Sequence, residues 1–312
     1  MILRVIARFL VSLFLASVAI FLLLRAIPGD PARVALGVTA TDEAVAALAE
    51  QLGTNRPLVV QYLEWVGGLL TGDFGVSLAS RQDITPLVLD RAQVSLILCG
   101  VAMIASLLIA VPLGMWAARR ADRPDGVAVS GASQIGIAIP SFLAGILLVT
   151  VFAVQLGWVP ANGWIPPDED VGGFLQRLVL PVIALTAVQA AILTRYVRSA
   201  ILEVMDRDFM RTARSTGASI SEALWRHGLR NAALPVLTVT GLQLTSLIVG
   251  AVVIERVFLI PGLGSMLLDS VARRDLTTVQ TIVMLLVVFT LTVNLVVDIT
   301  YRLIDPRIRR SA

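Results

Sequence analysis

Charged residues divide the 312-residue chain into long apolar stretches at 9–24, 92–118, 126–167, 178–194, 231–254 and 276–297. A helix rises 1.5 Å per residue, so crossing a hydrocarbon layer of about 30 Å takes about 20 residues, and each stretch with its apolar flanks holds one span. The stretch at 126–167 is long enough for two. Its end from Trp158 to Pro167, however, is rich in Pro, Gly and Asn and carries two Trp, which reads as an interfacial loop. The pattern predicts six helical spans: one ending at Ile27, then Gln93–Ala118, Val127–Val154, Leu178–Tyr196, Val236–Ile254 and Thr278–Tyr301. In the third, Ile139-Pro140-Ser141-Phe142 places a proline mid-helix and frees a backbone carbonyl. The resulting kink either faces a pathway or serves packing.

The polar connections differ in length and character. After span one, Pro28-Gly29-Asp30-Pro31 forces a turn, and a segment runs on to Arg91. Within it, Thr41 to Leu52 begins at a Thr41 or Asp42 cap and reads as a short amphipathic helix. Residues 58–70 suit a helix on the membrane surface, with Tyr62 and Trp65 at headgroup level. Between spans four and five, residues 198–234 are too charged for lipid yet helical in pattern. Gly217 reads as a helix stop, and Ser219-Ile220-Ser221-Glu222 reads as a capping box. Two short helices meeting at Gly217 follow.

Composition agrees with the spans: 57% of residues are hydrophobic, 15% are charged and the mean hydropathy is +0.85. A soluble domain carries about 25% charged residues, so a water-facing globule is excluded. The charged-then-apolar start resembles a signal peptide, but Arg25-Ala26-Ile27-Pro28 offers no small-x-small cleavage site, and it is read as span one. Every basic residue is Arg. With six spans, sixteen of the 25 Arg fall on the side that holds both termini and residues 198–234, so that side is expected to be cytoplasmic. Spread over every such segment, this charge marks topology and not nucleic-acid binding, despite a pI near 9.7.

The available chemistry is sparse. A chain without Lys has no Walker A loop. His227 is the only His and Cys99 the only Cys, so neither a zinc site nor an intramolecular disulfide is expected. Asp298 is the strongest ionisable candidate within a span and is read as a partner of Arg302 one turn on. Gln134, Gln189, Gln243, Thr245 and Asn294 either line a polar path or join helices by hydrogen bonds.

Arg211-Thr212-Ala213-Arg214-Ser215-Thr216-Gly217 resembles the coupling-loop motif of ABC importer permeases, Glu-Ala-Ala followed three residues later by Gly. His227-Gly228-Leu229-Arg230-Asn231-Ala232-Ala233-Leu234-Pro235 is similar to the dipeptide, oligopeptide and nickel branch. The resemblance continues through Pro28-Gly29-Asp30-Pro31, Arg56-Pro57 with Gln61-Tyr62-Leu63, Gly72-Asp73-Phe74-Gly75, Ile139-Pro140-Ser141-Phe142, Pro261-Gly262-Leu263-Gly264 and Leu303-Ile304-Asp305-Pro306-Arg307. Arg211 replaces the motif's Glu and Leu229-Arg230 its Leu-Pro, as in the peptide branch, whereas Ser215-Thr216 stands where Ala-Lys is commoner.

The resemblance implies an all-α, six-span type I ABC importer permease of the bacterial inner membrane, itself non-catalytic. Its expected partners are a homologous second permease, two cytoplasmic ATPase subunits that carry ATP and Mg, and an extracytoplasmic binding protein delivering a peptide or related solute. The organisation implied is span one at 1–27, an extracytoplasmic segment at 28–91, a core at 92–302 and a cytoplasmic tail at 303–312. The helix before Gly217 would sit in an ATPase groove, with Arg207, Arg211 and Arg214 at the rim and Phe209, Met210 and Ala213 filling it. An ion-coupled secondary transporter, working without ATPases, is the alternative from another class.

Overall fold

The computed structural model describes residues 2–27, 31–36 and 40–304. Most of the first turn, Pro28 to Asp30, and the close of the chain from Asp305 lie outside the described residues. Lipid supplies no hydrogen-bond partner, so the apolar runs satisfy their backbone as helices. In chain order these are α1 (Ile2–Arg25), α2 (Pro31–Leu36), α3 (Asp42–Gln51), α4 (Leu58–Thr71), α5 (Thr85–Arg119), α6 (Pro124–Ala138), α7 (Ser141–Leu148), α8 (Val171–Met205), α9 (Asp208–Ser215), α10 (Ile220–Ala223), α11 (Leu229–Val257), α12 (Leu263–Ala272) and α13 (Leu276–Ile304). π-Helical turns extend α7 through Val149–Gln155 and join α10 to α11 through Leu224–Gly228.

Among the described residues, five helices, α1, α5, α8, α11 and α13, are long and apolar enough to span. The predicted third span differs from expectation: it is not a kinked helix but two helices, α6 and α7 with its extension, bent by 94°. Pro140 lacks an N–H and pushes the residue before it out of the helical region, so Ile139 sits at φ −89°, ψ 118° and Pro140 becomes the N-cap of α7. Counted as one broken span, the pair is the sixth. The other spans outrun their apolar cores, as α8 shows: expected over 178–196, it continues at both ends into charged turns.

The chain forms two compact units. The first comprises 1–94 and 261–295. Thr41 caps α3 by accepting from the Ala44 N–H, and Val45 and Leu48 pack with Ala32 of α2. Tyr62 and Trp65 of α4 do not stand free at a surface. Their rings lie against Phe21 of α1 at 5.5 and 6.2 Å, and the Tyr62 and Ser17 hydroxyls share a 2.8 Å hydrogen bond. Ile84, Val88, Leu263 and Ile282 form a core among the start of α5, α12 and α13. Beside it, buried Asp275 accepts from the Ser77 hydroxyl at 2.5 Å, the Leu78 N–H at 3.0 Å and the Thr278 hydroxyl at 2.8 Å, fastening the 73–84 loop to the first turn of α13.

The second unit comprises 95–260 and 296–312, with α8 packing on α6, α7 and α11. Helix–helix attraction in lipid comes from close packing, which small residues permit. A Cβ built on Gly114 of α5 would stand 2.7 Å from the Val197 side chain and 2.9 Å from the Thr194 carbonyl oxygen of α8, so only glycine fits that crossing. The loop after α7 is pinned by the Gly163 N–H, which donates to the Phe258 carbonyl at 2.9 Å, and Trp164 meets Phe174 edge-on at 5.2 Å.

Candidate functional site

The 198–234 segment folds as two short helices hung beneath the ends of three longer ones. After α8, Arg207 takes an extended conformation (φ −75°, ψ 148°) as N-cap of α9. Gly217 closes α9 at φ 96°. The Ala218 N–H reaches the Ala213 carbonyl and the Gly217 N–H reaches the Arg214 carbonyl, both at 3.1 Å, which is the paired arrangement a left-handed glycine stop allows. Ser219 then caps α10 by accepting from the Glu222 N–H at 3.2 Å. Both the stop and the cap lie where the sequence places them.

Met210 is only 1% exposed, packed in a core with Met115 and Ala118 of α5, Ile201 and Val204 of α8, Ala223 and Leu224, and half-buried Ala213 packs against the same core. This corrects the expectation that Met210 fills a partner's groove: the apolar face of α9, at spacing i, i+3, is already spent within the chain. What α9 leaves outward is Phe209, 37% exposed, with Arg207, Arg211 and Arg214 and the tip at Gly217. Arg207 pairs with Glu203, and Arg211 lies 3.6 Å from Asp208. Exposed pairs of this kind contribute about 0–1 kcal/mol and leave the guanidinium groups free to exchange partners. Arg214 makes no ion pair among the described residues. The His227 side chain lies outside the described residues.

The five polar span residues differ in exposure and in hydrogen bonding. Gln134 of α6 and Asn294 of α13 are exposed, and the Thr245 hydroxyl turns back to the Gly241 carbonyl at 3.4 Å. Gln189 of α8 is 6% exposed and Gln243 of α11 half-buried; the Oε1 of each is buried with no partner among the described residues. A buried acceptor left without a hydrogen bond costs about 1–3 kcal/mol.

One ionisable group escaped the sequence reading. Ending span five at Ile254 leaves out Glu255, yet α11 runs on to Val257, and Glu255 is 1% exposed with its Oε1 2.6 Å from the Ser95 hydroxyl. Glu255 lies in the last turn of α11. The signal was the apolar run continuing on its far side at Val257-Phe258. Asp298 is exposed, and the Arg302 side chain proposed as its partner lies outside the described residues.

Five apolar helices, a broken sixth span and a polar helix pair locked to the span ends, among the described residues, define a multi-pass α-helical membrane protein. Residues 110–310 match the family model described as binding-protein-dependent transport system inner membrane component, and residues 1–99 match the N-terminal model of the same systems. The chain belongs to this family and is a multi-pass inner-membrane permease subunit of the ABC importer class.

It is 38% identical over 308 residues to a probable peptide ABC transporter permease protein, y4tP, of Sinorhizobium fredii, covering 99% of this chain and 98% of that one. It is 37% identical over 291 residues to the oligopeptide transport system permease protein AppB of Bacillus subtilis, covering 92% of each. It is also 38% identical over 302 residues to the glutathione transport system permease protein GsiC of Salmonella choleraesuis, covering 96% of this chain and 95% of that one. A crystal structure of an amino acid ABC transporter with histidines shares the fold at a TM-score of 0.53 and 21% identity, covering 70% of this chain and 94% of its own.

Proposed function

We propose that the chain is one of two homologous membrane subunits of an importer that takes up peptides or a related solute, delivered by an extracytoplasmic binding protein and driven by two cytoplasmic ATPases. ATP and Mg belong to those ATPases, and this chain contributes no catalytic group. The names of its relatives support a peptide-like solute, glutathione being itself a peptide. The Arg excess on the side of the termini supports a cytoplasmic position for α9 and α10.

The observation that carries the coupling role is the burial of Met210 with the ends of α5 and α8. A helix fixed from behind transmits displacement, so a push on α9 moves the spans it is packed against. Phe209 would enter a groove on an ATPase, Arg207, Arg211 and Arg214 would meet its acidic rim, and Gly217 would keep the turn narrow. Ala213 acts from behind with Met210. Exchange between inward-open and outward-open states then follows ATP-driven movement of the ATPases. Gln189 and Gln243, with Gln134, Thr245 and Asn294, remain the candidate path residues, the first two because their acceptors are unpaired.

Uptake of a labelled dipeptide by cells carrying the full transporter tests the reading. Phe209→Asp is expected to abolish uptake while the chain inserts and accumulates normally, and unchanged uptake would refute the coupling role.

A further inference from the structure

Within the first unit, the end of α1, the α3–α4 connection, α4, the loop after it and the start of α13 line an open cavity of about 300 Å³. Its wall mixes apolar and polar side chains, with Arg25, Gln61, Glu64, Trp65, Asp73 and Gln280 among the lining residues. Three of these hold a buried polar atom with no partner among the described residues: Arg25 Nε, Gln61 Oε1 and Trp65 Nε1. Gln61 is fixed, because its Nε2 donates to the Thr54 carbonyl at 3.0 Å and the Arg56 carbonyl at 2.7 Å, which leaves Oε1 as the spare acceptor. The Arg25 guanidinium stands 5.3 Å from the centre of the Phe21 ring, the ring that also carries Tyr62 and Trp65. A partly buried cation and indole N–H thus line the cavity together with two exposed carboxylates, Glu64 and Asp73.

We propose that this cavity is a headgroup site for a zwitterionic phospholipid, with phosphatidylethanolamine as its ligand. Arg25 ends an apolar span, at the depth where lipid phosphates lie, and a guanidinium there gains a charge-assisted bond to a phosphate. The ammonium of the headgroup, a few atoms further from the membrane, meets Glu64 and Asp73. Glu64 also pairs with Arg56, so the ammonium shares that carboxylate with a guanidinium, whereas Asp73 makes no ion pair among the described residues. The same two helices present exposed Leu22, Leu23 and Leu63, apolar surface that suits acyl chains. A free zwitterion such as a dipeptide shares the headgroup's charges but gains nothing from those side chains. The site is independent of the coupling reading, since it needs only the membrane.

Native mass spectrometry of the full chain, purified in mild detergent and incubated with equal phosphatidylethanolamine and phosphatidylglycerol, tests the site. Phosphatidylethanolamine is expected to dominate the bound lipid. Arg25→Gln is expected to lower total bound lipid about fivefold, the worth of one arginine at the membrane surface. Glu64→Gln, at an exposed position, is expected to keep lipid binding but move the preference towards phosphatidylglycerol, a change that loss of structure would not produce. Should Arg25→Gln fail to fold, that shift in preference decides alone. Retention of phosphatidylethanolamine at the wild-type level by both variants would overturn the proposal. So would dialanine or glycerophosphoethanolamine, offered at the same concentration, occupying the chain as fully as the lipid does.

Discussion

The 73–84 loop and helix α9 are both short segments fastened to the ends of long helices, and they are fastened by opposite chemistry. The loop is held by one buried carboxylate, Asp275, accepting four hydrogen bonds, from the Ser77 hydroxyl, the Leu78 N–H and both the hydroxyl and the N–H of Thr278. Helix α9 is held by apolar burial, with Met210 inserted among α5, α8 and the 223–224 turn. A polar latch depends on every partner, because one missing acceptor strands several buried donors at once. An apolar anchor degrades in proportion to the atoms removed and keeps its direction. The first suits a segment that must keep one conformation; the second suits a segment that carries load while its outer edge binds something else.

The sharpest way to break the comparison is Asp275→Ala. Leaving these donors unsatisfied is expected to cost about 4 kcal/mol and to release the loop, seen as faster tryptic cleavage after exposed Arg81 in the detergent-purified protein. Met210→Ala is expected to cost about 3 kcal/mol in thermal unfolding, with Met210→Leu nearly neutral because it conserves volume. If Met210→Ala melted like the wild type, the anchor would not be bearing load.

Gly217→Ala sharpens the same contrast at smaller scale. Nothing lies within 4 Å of a Cβ built there, so its cost is the φ of 96° alone, about 1 kcal/mol. Uptake is expected to fall further for Gly217→Val, whose branched side chain tolerates that conformation less well, and equal uptake for both would show the turn is not limiting.

The smallest effect concerns pH. Asp83 accepts from the Thr85 N–H at 2.8 Å at the start of α5, and these hydrogen bonds hold its carboxyl below the usual carboxylate range. A depressed folded value means the contribution is complete above the ordinary carboxylate value near 4 and is lost as pH falls through the lower folded one. Hydrogen exchange at 84–88 is therefore expected to be flat from pH 7 to 5 once corrected for intrinsic rates, and to rise only in stronger acid. Asp83→Asn should remove that rise.

Much of this was legible in residue order. Five of the six apolar runs, the Gly217 stop and the Ser219 cap are local signals, each set by a few neighbouring residues, and the structure places them as read. The Ile139-Pro140 break was half legible, since proline forbids the straight helix but only the surroundings decide between a kink and a 94° turn. The inward face of Met210 was not legible, because its partners on α5 lie about a hundred residues away in sequence. Nor were the Asp275 latch and the Ser95–Glu255 pair, whose members are 198 and 160 residues apart. Each of those carboxylates looks like an ordinary surface acid until the fold buries it.

The central claim is that α9 turns Phe209 outward to an ATPase while Met210 holds it from behind. A photoreactive phenylalanine analogue placed at 209 or, separately, at 210 in cells expressing the full transporter tests it directly. Irradiation is expected to join position 209 to an ATPase subunit and to leave position 210 without an intermolecular adduct. Equal adducts from both positions, or none from 209 in a transporter that still imports, would contradict it.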